Sequence, residues 1–195
     1  PNSGTIQRHT FSFTPVYIWR PELDFENSDY TLISRWRASF RNNSEFSVSM
    51  FNRFTRLYDS FDPTRTDGAI ELPANQNYYY TSFEASFRSD QRQKLSYRIN
   101  PSIGQFFNGR RLSLEANMTL RLQPYFSGSM QLRYDKINLP DPFPDASIWL
   151  IGPRLDVTFS KNIFWATFLQ YSTQRENFSI NTRLQWRVAP LSDLF

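Results

Sequence analysis

The sequence predicts an all-β protein, an antiparallel up-and-down transmembrane β-barrel seen in part, with about ten strands and the start of another. Three observations carry that prediction. Apolar and polar residues alternate with a period of two through most of the chain, and a strand sends successive side chains to opposite faces. The alternating runs are eleven to fifteen residues long; strands in soluble proteins usually run to about five or six, whereas a tilted strand crossing a bilayer needs about nine to eleven. The apolar sets also exclude charge, as lipid would require, since a basic side chain facing mid-bilayer costs about 2–4 kcal/mol.

Period-two runs between turn signals place strands at His9–Trp19, Ser28–Arg41, Glu45–Tyr58, Asn77–Ser89, Gln93–Phe106, Arg111–Gln123, Phe126–Lys136, Ala146–Ser160, Ile163–Thr173 and Asn177–Val188. In the second, Tyr30, Leu32, Trp36, Ala38 and Phe40 face away from Thr31, Arg35, Arg37 and Arg41. In the fourth, Tyr79, Phe83, Ala85 and Phe87 oppose Tyr80, Ser82, Glu84, Ser86 and Arg88. Leu95, Tyr97, Ile99 and Ile103 oppose Lys94, Arg98, Asn100 and Ser102 in the fifth. The sixth alternates almost without fault: Leu112, Leu114, Ala116, Met118, Leu120 and Leu122 against Arg111, Ser113, Glu115, Asn117, Thr119 and Arg121. Phe126, Met130, Leu132 and Tyr134 oppose Ser127, Gln131, Arg133 and Asp135; Phe178, Ile180, Leu184 and Trp186 oppose Ser179, Asn181, Arg183 and Arg187. Ile163–Thr173 is apolar on both faces, and Pro15, Pro101 and Pro153 each remove a ladder donor from inside a strand.

Asn42-Asn43-Ser44, Asp90-Gln91-Arg92, Asn108-Gly109 and Lys161-Asn162 are short polar connections. Asn108-Gly109 is the best hairpin signal, because both residues tolerate the positive φ of a type I′ turn. The long connections, Asp59–Gln76 and Ile137–Asp145, follow the third and seventh strands and so fall on one side, opposite the tight turns. Bacterial outer-membrane barrels have this asymmetry. Aromatics near the turns (Phe40 and Phe46, Phe106 and Phe107, Tyr125 and Phe126, Phe159 and Phe164) fit interfacial girdles.

Composition agrees. The 195 residues include no Cys, one His and 17% aromatics, and mean hydropathy is −0.56. No run approaches the length of a transmembrane helix, but barrels hide their hydrophobicity by alternation. The absence of Cys excludes disulfides, thiol nucleophiles and Cys-ligated metals. The formal charge of +4 is spread along strands rather than clustered, which argues against nucleic acid as a partner. A start at Pro1 without Met or a signal region, and Leu194-Phe195 opening another strand after an Ala189–Asp193 turn, lead to the expectation that residues 1–195 are part of one barrel domain, truncated at both ends.

Asn181-Thr182-Arg183-Leu184-Gln185-Trp186-Arg187, then Ala189-Pro190 and Ser192-Asp193-Leu194-Phe195, resemble the C-terminal barrel of the DUF5916 family. Phe106-Phe107-Asn108-Gly109-Arg110-Arg111-Leu112-Ser113-Leu114 and Leu72-Pro73-Ala74 with Tyr78-Tyr79-Tyr80 support the resemblance, which runs from about Arg41 onward. Members are large outer-membrane proteins common in Bacteroidetes, and their barrel follows a domain similar to family 9 carbohydrate-binding modules. They usually carry Gly where this chain has Leu191, and they continue through a last strand. The resemblance implies the bacterial outer membrane, contact with its lipid and with other outer-membrane or periplasmic proteins, and glycans as partners only through a domain outside this chain. It carries over no catalytic residue.

The residues themselves point away from an enzyme. The single His9 leaves no partner for a triad or a His-based metal site, and no cofactor is implied. Glu84 and Glu115 could act as an acid–base pair, but on a barrel wall they are expected to pair with Arg88, Lys94, Arg98, Arg111 or Arg121. Asp59, Asp62 and Asp67, like Asp141 and Asp145, match no Ca²⁺-loop spacing and read as solvated loop residues, so no metal is expected. The chemistry lies in the set expected to face the lumen: Arg35, Arg37, Arg53, Arg88, Lys94, Arg98, Arg111, Arg121, Arg133, Arg154, Arg183 and Arg187, with Glu45, Glu84, Glu115, Asp135 and Asp156. Such an excess favours anions in a pore, or else the arginines make cross-strand salt bridges that stiffen the wall. Three functions follow: a solute channel or membrane-anchoring barrel, a barrel displaying a glycan-binding domain, and a soluble β-rich binding domain.

Overall fold

The computed structural model describes residues 5–21, 25–174, 177–189 and 192–194. They form one sheet of β1 (Ile6–Arg20), β2 (Glu26–Phe40), β3 (Glu45–Leu57), β4 (Gln76–Arg88), β5 (Leu95–Phe106), β6 (Gly109–Leu122), β7 (Phe126–Asn138), β8 (Ala146–Ser160), β9 (Ile163–Ser172), β10 (Asn177–Ala189) and β11 (Ser192–Leu194). Each strand pairs antiparallel with its neighbours in sequence, in the order β1 to β11, so the meander is up-and-down throughout. Among the described residues the sheet does not close into a barrel: β1 pairs with β2 alone and β11 with β10 alone.

The ten long strands match those expected from alternation, with bounds differing by at most three residues and Ala146–Ser160 matching at both ends. Lys94 falls just outside β5, in the turn before it, where its carbonyl accepts the Arg121 N–H at 2.7 Å. The three prolines stay inside their strands. Opposite Pro101 the β4–β5 ladder skips Ala85 and Ser86, and beside Pro153 the β8–β9 ladder skips two pairs, while both strands remain paired on their other side. A missing N–H thus interrupts one ladder without ending the strand. Ser86 Oγ donates to Asn100 Oδ1 at 2.7 Å across the first gap. The β1–β2 ladder runs unbroken past Pro15, which leaves that proline's missing donor toward the free edge.

The hairpin at Asn108-Gly109 differs from the expected turn. Its positive φ falls on Phe107 (51°), and Gly109 is the first residue of β6, opposite Phe106. Gly109 is required for space: a Cβ there would run into the Asn138 carbonyl. At Asn42-Asn43-Ser44, by contrast, Asn43 is left-handed (φ 60°) and Asn42 Oδ1 accepts the Ser44 N–H at 3.1 Å, as that turn chemistry demands.

Register carries the alternation across the sheet. Phe11, Trp36, Val48, Ala85, Pro101, Leu114, Tyr134 and Trp149 stand in line, and so do His9, Ala38, Phe46, Phe87, Ile99, Ala116, Leu132, Ile151, Tyr171 and Phe178. Among the described residues nothing packs over this apolar face: Phe11 is 78% exposed, Phe83 50%, Met118 49% and Leu184 57%. The buried hydrophobic side chains among the described residues are Ala38, Leu72 and Ile137. A packed sandwich would bury the whole face.

Candidate functional site

The polar side of the sheet carries the chemistry, and the same register assembles it. Arg35, Ser49, Glu84, Ser102, Ser113 and Asp135 lie in line, with Asn100, Glu115 and Arg133 beside them. Arg53, Glu84, Arg111, Glu115 and Arg133 line one cavity of about 340 Å³. Arg35, Arg37, Glu45, Glu84, Arg88 and Arg98 line another of about 360 Å³. Together these two hold seven arginines against three carboxylates.

Part of that charge is neutralised across strands. Arg88 Nη2 donates to Glu45 Oε2 at 2.8 Å, from β4 to β3. Arg111 donates to Asp135 Oδ1 from Nη2 at 2.6 Å and from Nε at 2.9 Å, while Arg133 Nε reaches Oδ2 of the same carboxylate at 2.7 Å. Neutral groups satisfy others: Arg35 Nε donates to Ser49 Oγ at 2.8 Å, and Arg53 Nη1 to Ser82 Oγ at 2.7 Å. Arg88 and Arg98 stand directly opposite each other on β4 and β5, a like-charge pairing that disfavours the ladder.

Glu84 and Glu115 do not make the ion pairs expected of them. Neither forms a salt bridge with a described residue; Glu115 accepts from Asn117 Nδ2 at 3.1 Å, and both carboxylates instead open into the cavity they share. The remaining members of the set lie away from these cavities. Arg121 donates to the Gln91 carbonyl and Ser96 Oγ at the turn end, Arg154 pairs with Asp156 two residues along β8, and Arg183 and Arg187 stand on β10.

Alternation could not show how the β3–β4 connection, residues 58–75, is anchored: Asp59 and Asp67 are exposed, as expected of a solvated loop, but other residues tie it down. Phe61 and Leu72 bridge its two arms, Leu72 is fully buried and Thr64 is 1% exposed. Asp62 is spent on the turn: Oδ1 accepts the Thr64 N–H at 2.8 Å and Oδ2 the Thr66 N–H at 2.7 Å. Asp145 does the same in the β7–β8 loop, accepting from Leu139 N–H at 2.9 Å and Asn138 Nδ2 at 2.6 Å. The loop leans on the β5–β6 hairpin through Phe61 and Phe107, 5.6 Å apart, and its far side is held by Gln174 Nε2, which donates to the Thr64 carbonyl at 3.3 Å. It therefore crosses the polar face from β3 to the end of β9. Phe61, Pro63 and Leu72 were the apolar residues in a polar stretch that could have signalled this.

Phe106 and Phe107, expected in a girdle, turn inward instead and pack with Phe61, Tyr78 and Tyr80 around this loop. An aromatic row does exist on the outer face at the long-loop end, formed by Tyr17, Tyr30, Phe54 and Tyr79 with successive centroids 5.8, 5.4 and 4.8 Å apart. His9 stacks on Trp36 on that face, with centroids 5.8 Å apart. No protein-family model, curated protein or solved structure matches this chain.

Proposed function

We propose that this chain is part of a bacterial outer-membrane β-barrel of the DUF5916 kind, and that it forms a solute-conducting wall whose polar face lines an Arg-rich lumen. One observation carries the reading: an apolar face, charged only toward its long-loop end, runs in register across the long strands and is exposed or half-exposed along most of its length. Patches of this size on a soluble monomer are interaction surfaces, and lipid is the partner that suits a flat face of long strands whose charges keep to one end. Charged side chains on the outward positions gather at the long-loop end, where Arg56, Arg110 and Lys136 stand, as expected where a strand leaves hydrocarbon for headgroups. The excess of arginine over carboxylate on the other face favours anions in transit. A membrane-anchoring barrel that displays a glycan-binding domain is the second reading, favoured by the loop that crosses the polar face and narrows any passage. Single-channel recording separates the two. A conducting barrel gives discrete openings with anion preference, and neutralising Arg98, Arg111 and Arg133 reduces that preference. A plugged anchor gives no openings, and unchanged selectivity in the triple variant removes the lumen assignment.

A further inference from the structure

We propose that the cavity between the tip of the β3–β4 loop and the β6–β8 wall is a binding site for small organic carboxylates with a flat apolar body, the carboxylate being taken by Arg65 and Arg133. The site is built inside this chain, so it goes beyond the outer-membrane reading and stands or falls separately from it.

The backbone at the tip is the first observation. Arg65 is left-handed (φ 53°), a conformation that a long side chain adopts only when its surroundings impose it. Here they do. Asp62 fixes the turn from within, accepting from the Thr64 and Thr66 N–H groups, and Gln174 Nε2, just beyond the end of β9, reaches the Thr64 and Arg65 carbonyls at 3.3 and 3.4 Å. Strain of this kind is retained where a side chain must be held in place. Arg65 makes no ion pair with a described residue, although Asp62, Asp67 and Glu71 are on its own loop.

Charge is the second observation. The cavity, of about 420 Å³, is lined by three arginines, Arg65, Arg111 and Arg133, and by one carboxylate, Asp135. Asp135 is 6% exposed and already held by Arg111 and Arg133, whereas the Arg133 side chain remains 47% exposed. Positive charge left over beside a shared, satisfied carboxylate calls for an anion, and guanidinium forks match the two oxygens of a carboxylate. The apolar lining is the third observation. Phe61 and Phe106 stand on one side and Ile148 and Leu150 on the other, which suits a ring or short chain more than a hydrated inorganic ion.

Calorimetric titration of the full protein, in whichever detergent or buffer keeps it monodisperse, tests this with phenylacetate, 2-phenylethanol and phenethylamine as probes. Saturable binding of phenylacetate alone is expected. Arg65→Gln should weaken it by about tenfold, the effect of losing one charge-assisted contact, and Arg65→Lys should weaken it less, keeping the charge without the fork. Arg154→Gln, outside the cavity, should bind like the parent. Equal binding of 2-phenylethanol, parental binding by Arg65→Gln, or the same weakening from Arg154→Gln would each overturn the site. Conductance plays no part in these readouts, so a failure here leaves the membrane reading to its own test.

Discussion

Arg111 Nη2 lies 2.6 Å from Asp135 Oδ1, joining β6 to β7 through a carboxylate whose side chain is 9% exposed. Arg133 holds the other oxygen of the same group, so one buried charge fixes two guanidinium heads on the polar face. Asp135→Asn should therefore lower stability by about 2 kcal/mol, below the full cost of breaking a buried pair because both arginines keep access to solvent. Asp156→Asn should cost about 0–1 kcal/mol, since Arg154–Asp156 is exposed on both sides. Urea unfolding followed by far-UV circular dichroism measures the difference between the two variants.

At Gly104 on β5 the β4 backbone leaves no room for a side chain. A Cβ there would strike the Ser82 Cα and the Thr81 carbonyl, both backbone atoms that no rotamer change can move. Gly104→Ala should cost about 1–3 kcal/mol by overpacking. Gly152→Ala is the control: the nearest atom to its Cβ is 3.6 Å away, an ordinary contact. The same unfolding measurement should show the first variant weakened and the second near the parent.

The crossing loop is held by Leu72, which is fully buried, and by the Gln174 latch. Leu72→Ala removes a buried side chain of the kind whose loss costs about 2–5 kcal/mol, and the cost should fall on the loop rather than on the strands. Trypsin should cleave after Arg65 faster in Leu72→Ala and in Gln174→Ala than in the parent, with the β-sheet circular dichroism unchanged.

Asp90 caps the β4–β5 turn. The Arg92 side chain and then its backbone N–H hold the Asp90 carboxyl at a pKa of about 2, below the usual 3.8. Because the folded value is depressed, the turn's contribution is fully present above about pH 4 and is lost as pH falls through 2. A ¹³C-carboxyl titration should find Asp90 still ionised at pH 3, and Asp90→Asn should show a smaller change in stability between pH 4 and pH 2 than the parent.

The strands were legible because alternation is local: Leu112 to Leu122 announces its two faces without reference to any other part of the chain. The basic residues of the polar face were legible for the same reason. What alternation could not carry were the choices made by distant partners. Gln174 grips a loop 110 residues earlier in the chain, and Phe61 of that loop packs against Phe107, which in turn packs on Phe106. Glu84 and Glu115 were expected to find arginines on adjacent strands, but Glu45 takes Arg88 and Asp135 takes Arg111. At the β5–β6 hairpin the sequence offers Asn108-Gly109 for positive φ, yet the need for space beside Asn138 fixes Gly109 in the strand and passes the left-handed position to Phe107.

The most direct test of the membrane reading uses the absence of native cysteine. Single cysteines placed along β6 of this cysteine-free 195-residue chain, at Leu114, Ala116, Met118 and Leu120 and at Ser113, Glu115, Asn117 and Thr119, can be labelled in lipid vesicles with a water-soluble maleimide and with a nitroxide read by oxygen accessibility. The account predicts slow maleimide reaction and high oxygen accessibility at the first four positions, alternating residue by residue with the opposite behaviour at the second four. Equal maleimide reactivity at both sets, with no period of two, would contradict it.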